Sequence, residues 1–338
     1  RLVYMEDGKG EVRKDMPYIF DVGDHCIYSV NVKMPEKAGL VWYYFELETE
    51  RGMVYYGNNS KQLGGIGEMC FNSPSNSYQI TVYNEDYKTP DWFKTGIAYQ
   101  IFVDRFCNGN ENGEFLGNRT DIIKRNWGEQ PFYKAEQFGG EYKANDFFGG
   151  NLKGVIKKLP YLKDLGISVI YLNPIFKAYS NHKYDTGDYE TIDPMFGDEE
   201  TFKELCSKAK EMGIRIILDG VFNHTGSNSR YFNKYGEYDS IGAYQSKESP
   251  YYTWFRFMDW PDVYESWWGM TTLPQIEEHS EECRKYLLSD KEAIVKRWIK
   301  NGASGWRLDV VDELPGFFVK ELRENVKKAD KDAVIIGE

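Results

Sequence analysis

The chain has 338 residues, of which 42 are Lys or Arg and 53 are Asp or Glu, for a formal net charge of −11. That balance disfavours a nucleic-acid partner, whose phosphates demand gathered basic side chains, and no stretch approaches the roughly 20 consecutive apolar residues that cross a bilayer. Hydrophobic residues make up 41% of the sequence, enough for a sizeable core, and the length suggests two domains or one large domain with an appendage. Cys26, Cys70, Cys107, Cys206 and Cys283 are scattered without a CxxC pair or a Cys/His cluster, and read as reduced thiols rather than a disulfide framework or zinc site. The opening Arg1-Leu2-Val3 lacks the basic-then-apolar start of a signal peptide, so a cytoplasmic location is expected, with secretion the alternative if a leader has been removed. Aromatic residues reach 16%; their faces suit sugar rings, although strands and core account for most of them.

Residues 1–92 read as short strands between turns: Tyr28 to Val32 and Tyr78 to Tyr83 alternate, and Leu40 to Leu47 is rich in aromatic and β-branched residues. Gly64-Gly65 and Asn72-Ser73-Pro74 supply the breaks, and the module, an all-β sandwich, ends near Thr89-Pro90-Asp91. Its Trp42, Tyr43, Tyr44, Tyr55 and Tyr56 suggest a glucan contact or a homodimer surface. From residue 93 the rhythm becomes strand then helix. Strands are expected at Ile97 to Phe106, Ser168 to Leu172, Ile214 to Leu218, Gly305 to Val310 and Ala333 to Ile336. Helices are expected at Leu152 to Leu165, Asp198 to Met212, Glu282 to Lys300 and Gly316 to Lys328. Nearly all-apolar strands alternating with helices argue for a parallel sheet covered by helices, either an open doubly wound sheet or a (β/α)8 barrel. Only about five of a barrel's eight strands can be counted. Two connections, Cys107 to Phe148 and Thr225 to Ser280, far exceed ordinary βα loops and leave the carboxyl edge of the sheet, where sites form; 225–281 is expected to be a loop subdomain.

Three strand ends carry charge. Leu218-Asp219-Gly220-Val221-Phe222-Asn223-His224 puts an Asp at a strand's end and a His shortly after it. In Gly305-Trp306-Arg307-Leu308-Asp309-Val310, Arg307 and Asp309 are two apart and so share a face, a pair that an apolar strand would not bury without partners. Val334-Ile335-Ile336-Gly337-Glu338 ends an apolar strand in a carboxylate. Carboxylates on neighbouring strand ends would stand about 5 Å apart, roughly the separation of the nucleophile and the general acid/base in a retaining glycosidase. Asp309 can thus be the nucleophile, kept ionised by Arg307, and Glu338 the group that must carry the proton.

The segments DGVFNH (219–224), GWRLDVVDE (305–313) and IIGE (335–338), supported by YQIFVDRF (99–106), FFGGNLKGV (147–155) and NHKYDTGDY (181–189), resemble signature regions of the α-amylase superfamily of glycoside hydrolases. The GWRLDV form, LPQIE (273–277) and a β module ahead of the barrel are most similar to the neopullulanase, cyclomaltodextrinase and maltogenic amylase branch and its amylopullulanase neighbours. The resemblance implies a (β/α)8 barrel and a retaining hydrolase of starch, pullulan or cyclodextrins, working through a covalent glycosyl-enzyme. It makes Asp309, Glu338 and Arg307 catalytic. His182 and His224 would hold sugar hydroxyls, Tyr184 would stack on the ring, Asp219 would orient Arg307, and Glu313 would lie toward the leaving group. It also implies a calcium loop at Asn108, Asn110, Gly149 and Asn151, and no organic cofactor. Asn110 and Asn151 stand where the family has aspartates, and fewer anionic ligands mean weaker affinity. Glu277 stands where the branch has Asn.

The family's third carboxylate, in an NHD-type segment after a later strand, and the last barrel strands would lie beyond Glu338, so a fragment inactive by itself is expected. Other readings are a transglycosylase of the same family and a non-catalytic carbohydrate-binding or scaffold relative; the latter has no need of the Asp309, Glu338 and Arg307 set. A nucleotide-binding α/β domain would need a glycine-rich turn between strand and helix, and Gly64-Gly65-Ile66-Gly67 has neither neighbour.

Overall fold

The computed structural model describes residues 1–338 apart from Pro74, Ser75 and Glu141, so the break expected at Pro74 lies outside the described residues. The chain divides into two compact units, Arg1–Lys88 and Thr89–Glu338.

The first unit holds β1 (Leu2–Glu6), β2 (Val12–Lys14), β3 (Tyr18–Val22), β4 (His25–Tyr28), β5 (Gly39–Thr49), β6 (Gly52–Gly57), β7 (Glu68–Cys70) and β8 (Tyr78–Val82). Where a sandwich was expected, six strands form one sheet in the order β2-β1-β5-β6-β7, with β8 also on β5, while β3 and β4 form a separate hairpin. The eleven-residue β5 organises the sheet because its run of Val41, Trp42, Tyr43, Tyr44 and Phe45 suits a pleated surface; it pairs antiparallel with β1, β6 and β8. Val3, Val41, Tyr44 and Val54 are buried, and Tyr43 stacks on Tyr78 at 5.2 Å. Tyr28, expected to begin a strand, ends one. The hairpin turns at Gly23, whose φ of 60° favours glycine, and its register pairs Tyr28 back with Tyr18.

The second unit opens with the helical turn α1 (Asp91–Lys94), behind Pro90. Then come β9 (Ala98–Ile101), β10 (Ile123–Lys124), β11 (Asp146–Phe147), α2 (Leu152–Asp164), β12 (Val169–Leu172), β13 (Phe176–Ala178), β14 (Thr186–Ile192), α3 (Glu199–Glu211) and β15 (Arg215–Gly220). They are followed by β16 (Phe257–Asp259), β17 (Val263–Tyr264), α4 (Glu281–Arg284), α5 (Ile294–Lys300), β18 (Gly305–Leu308), α6 (Gly316–Ala329) and β19 (Val334–Gly337). Five strands form a parallel sheet in the order β9-β12-β15-β18-β19. Each strand lies beside its successor, as in a barrel wall; a doubly wound sheet reverses direction at a switch point.

The period of two divides the sheet. Ile170, Leu172, Ile216, Leu218, Trp306 and Leu308 belong to the large core with α2, α3, α5 and α6. On the other face Val169, Ile217 and Val334 form a small apolar cluster near the strand starts, and the same face then turns polar at Tyr171, Asp219 and Arg307. Gly305 is required here, since a Cβ would stand 2.3 Å from the Val334 carbonyl oxygen.

The strand expected to Val310 ends at Leu308, and two further elements are cut shorter still. The strand from Ile97 ends at Ile101; Val103–Arg105 makes a 3-10 turn because buried Asp104 accepts the N–H groups of Phe148 and Gly149, each at 3.0 Å. The helix from Glu282 to Lys300 is interrupted by a wide π turn over Lys285–Ser289 and a break after Asp290, which lets Tyr286 meet the Tyr231 hydroxyl at 2.9 Å while Leu287 and Leu288 are fully buried. Residues 225–280 carry the β16–β17 hairpin, and their Tyr231, Phe232, Trp254 and Phe255 pack into the main core. No helix among the described residues is long and apolar enough to cross a membrane.

Candidate active site

The parallel ladder sets the site. Asp219 on β15 is the register partner of Arg307 on β18, and Arg307 that of Ile336 on β19. Two residues further along, Asp309 and Glu338 must emerge on the same side as Arg307. Arg307 Nη1 donates to both oxygens of Asp219 at 3.1 Å and to Asp309 Oδ1 at 2.7 Å, while its Nη2 pairs with Glu338. One guanidinium thus holds three carboxylates, which its planar fork can do and a point charge cannot.

Burial sets the electrostatics. The Asp219 side chain has no exposure and that of Asp309 is 11% exposed. Burial pushes Asp219 up to about 6 against the pull of Tyr171 and Arg307, so it remains an anion at neutral pH. Burial also raises Asp309, opposed by Arg307. For Arg307 burial works against the charge, but Asp219 and Asp309 outweigh it and keep it firmly protonated.

The walls come from loops at the carboxyl edge. Tyr184 donates its hydroxyl to Asp219 at 3.1 Å and receives the Asn173 amide at 3.3 Å. Its backbone N–H donates to His182 Nδ1 at 3.2 Å, which leaves the other ring nitrogen of His182 to carry the proton. The His182–Tyr184 segment is held from behind by Lys183, fully buried with φ 65°, whose ammonium meets Asp193 at 2.7 Å and the Ala178 carbonyl at 3.0 Å. His224 stacks on Trp267 at 5.0 Å, and its Nε2 is buried with no protein partner among the described residues. Burial lowers His182 and takes His224 down to about 4, so both rings are neutral at pH 7. His182, Tyr184, His224 and Trp267 line a cleft of about 830 Å³ that reaches Arg307, Asp309, Val310 and Glu338.

The expected residues His182, Tyr184, His224, Arg307, Asp309 and Glu338 therefore meet in one cavity, with Asp219 behind Arg307. Glu313 is beside it and does something the sequence did not suggest: its two oxygens accept the indole N–H groups of Trp267 and Trp268, each at 2.9 Å, and the two rings stack at 5.1 Å. Tyr171, whose hydroxyl donates to Asp219, and Lys183 also escaped the sequence reading; a tyrosine on the period-two face of a buried strand that later turns polar was the available signal. Val310, directly after Asp309, has φ 43°, a left-handed conformation that a β-branched residue rarely adopts.

The implied calcium residues also meet, between the loop after β9 and the start of α2. Asn151 caps α2, its Oδ1 accepting from Gly154 N at 2.9 Å and Gly109 N at 3.1 Å, and its Nδ2 faces Asn108 Oδ1 at 3.2 Å. The four residues supply no carboxylate, and Asn108 Oδ1, Asn151 Oδ1 and the Gly149 carbonyl oxygen already face N–H donors. As arranged they do not fit a hard cation, which takes 6–8 oxygen ligands including carboxylates, and no chemical step below runs through a metal.

The family described as "Alpha amylase, catalytic domain" matches residues 100–338. An amylopullulanase of Thermoanaerobacterium saccharolyticum is 42% identical over 326 residues, which is 88% of this chain and 25% of that protein. Neopullulanase 2 of Thermoactinomyces vulgaris is 34% identical over 285 residues, 81% of this chain and 44% of that one. Among solved structures, the type III pullulan hydrolase from Thermococcus kodakarensis superposes with a TM-score of 0.65 at 31% identity, covering all of this chain and 56% of its own. The chain thus spans about a quarter to a half of the length of these curated relatives. With the charged strand ends, the ordered parallel wall and the family match over the same residues, the chain belongs to the α-amylase family of glycoside hydrolases.

Proposed function

We propose that this chain carries the nucleophile and acid/base of a retaining α-glucan hydrolase that cleaves α-glucosidic bonds of starch, pullulan or cyclodextrins, and that its five parallel strands form part of a (β/α)8 barrel. The observation that most supports this reading is Arg307 set among Asp219, Asp309 and Glu338 at the head of a cleft walled by aromatic and histidine rings. The relatives named for amylopullulanase, neopullulanase and pullulan hydrolase activity agree with it. The activity of the whole protein, a cytoplasmic location and a homodimer belong to the same proposal, the last two checked by cell fractionation and sedimentation.

In the first step the Asp309 carboxylate attacks the anomeric carbon while Glu338, protonated and released from its pairing with Arg307, gives its proton to the glycosidic oxygen. The bond to the leaving sugar breaks and a glycosyl ester forms on Asp309. Glu338, now a carboxylate, takes a proton from water, whose oxygen attacks the same carbon and restores Asp309. Two inversions give net retention. Arg307 keeps the nucleophile anionic in a site whose burial opposes charge. His182 and His224 would hold hydroxyls as neutral rings, and so would add no positive charge beside an oxocarbenium-like transition state.

The test is proton NMR of the first products released from maltooligosaccharides by the protein carrying this chain, with mass spectrometry of a peptide trapped by a fluorinated glycosyl donor. The α anomer and a label on Asp309 are expected. The β anomer, or a label elsewhere, would overturn the mechanism; longer oligosaccharides would assign a transglycosylase, and no product at all a sugar-binding relative.

A further inference from the structure

The loop that packs on the start of α2 joins its polar groups without a carboxylate side chain in the donor set, and its amide orientations are forced. Asn151, whose side chain is fully buried, turns Oδ1 to two backbone N–H groups, those of Gly154 at 2.9 Å and Gly109 at 3.1 Å. An amide has one acceptor oxygen and one donor nitrogen, so Nδ2 must face the other way. There it meets Asn108 Oδ1 at 3.2 Å and the Gly149 carbonyl oxygen at 3.5 Å. Asn108 Oδ1 also accepts from Asn110 N at 2.8 Å, and the Glu114 carbonyl oxygen receives the amides of Asn108 at 3.1 Å and Asn110 at 2.7 Å. The segments must approach closely for this: a Cβ on Gly109 would lie 2.3 Å from Gly154 N, and one on Gly154 1.8 Å from the Cys107 carbonyl oxygen.

A divalent cation would draw together the same kinds of oxygen that these amide hydrogens now draw together. We propose that the Asn151 side-chain amide stands in the place of a cation, so that this loop is closed by neutral donors and its stability is independent of calcium. The converse follows from one atom. With Asn151→Asp the helix cap survives, but an oxygen replaces Nδ2 and faces Asn108 Oδ1 and the Gly149 carbonyl with no donor between them. Three acceptors then converge, which is unfavourable until a cation arrives and favourable afterwards.

The experiment is thermal unfolding of the wild-type protein and Asn151→Asp in EGTA and in millimolar calcium chloride, with isothermal titration of calcium chloride into each. The wild type should melt at one temperature in both buffers and give no binding heat. Asn151→Asp should melt lower in EGTA and regain roughly 5 to 10 °C at saturating calcium. A wild type that binds calcium, or whose melting temperature rises with it, overturns the proposal, as does a folded Asn151→Asp that ignores calcium. If Asn151→Asp does not fold, the wild-type titration decides: heat of binding refutes the proposal and its absence supports it.

Discussion

Removing the Arg307 charge tests the electrostatic core of the site. Arg307→Met keeps much of the apolar stem but leaves Asp219, with no exposure, and Asp309, at 11%, facing each other without a cation. Breaking one side of a buried pair costs about 3–5 kcal/mol. Part of that is recoverable, because Asp219 is already at about 6 with the guanidinium in place and must climb without it. A carboxyl whose folded pKa lies above its unfolded one binds more protons folded than unfolded in that window, so acid relieves the variant and the deficit shrinks as pH falls. The expected loss is about 4 kcal/mol at pH 8 and about half that at pH 5, by order of magnitude. Urea unfolding followed by tryptophan fluorescence at the two pH values measures it. Arg307→Lys separates charge from shape: one ammonium cannot span three carboxylates, so most stability should return while turnover stays low. A loss below about 1 kcal/mol at pH 8, or one indifferent to pH, would refute the argument.

Asp309→Asn should preserve folding and sugar binding while turnover drops by roughly 10⁴-fold or more, since an amide cannot form the glycosyl ester; near-normal release of reducing sugar would reassign the nucleophile. Against the opposite slope of Asp219, His224, with an ordinary value of 6.5 taken down to about 4 by burial, binds fewer protons folded than unfolded between those values, so its own contribution to stability should fall by about 3 kcal/mol from pH 7 to pH 4. His224→Asn should flatten that slope in parallel urea titrations, and an unchanged slope would count against a neutral buried ring. Glu313→Gln can accept only one of the two indole bonds, so KM for maltooligosaccharides should rise roughly fivefold with kcat retained and the tryptophan emission altered; unchanged KM would remove the indole pair from substrate binding.

The part of the site legible in the sequence is the part carried by strand ends. Asp219, Arg307, Asp309 and Glu338 each interrupt an apolar run, and a period of two then dictates that they share a face. Tyr171 sits inside such a run, where tyrosine reads as core, and its place on the polar face gains meaning from the lateral neighbour β15, which brings Asp219 to its hydroxyl. Glu313 and Trp267 are 46 residues apart, a pairing that local pattern cannot carry. The break after Asp290 was hidden because the flanking residues keep helical spacing; tertiary packing of Tyr286 and Leu287 overrides it. The pairing order of the first unit's six-stranded sheet is not legible for a related reason: alternation announces strands but not which ones pair.

Val310 is a valine with φ 43°, next to the nucleophile and lining the cleft. A β-branched residue held there stores about 1–3 kcal/mol of backbone strain, which the surrounding ladder of β18 and β19 must hold in check. Glycine would adopt that conformation without the clash, so a selection for heat resistance alone would favour Val310→Gly early. Such a substitution would also free the backbone that aims Asp309. Directed evolution of this enzyme for thermal tolerance should therefore be run with turnover as a second screen, since the position offering the easiest gain in one property is adjacent to the atom that decides the other.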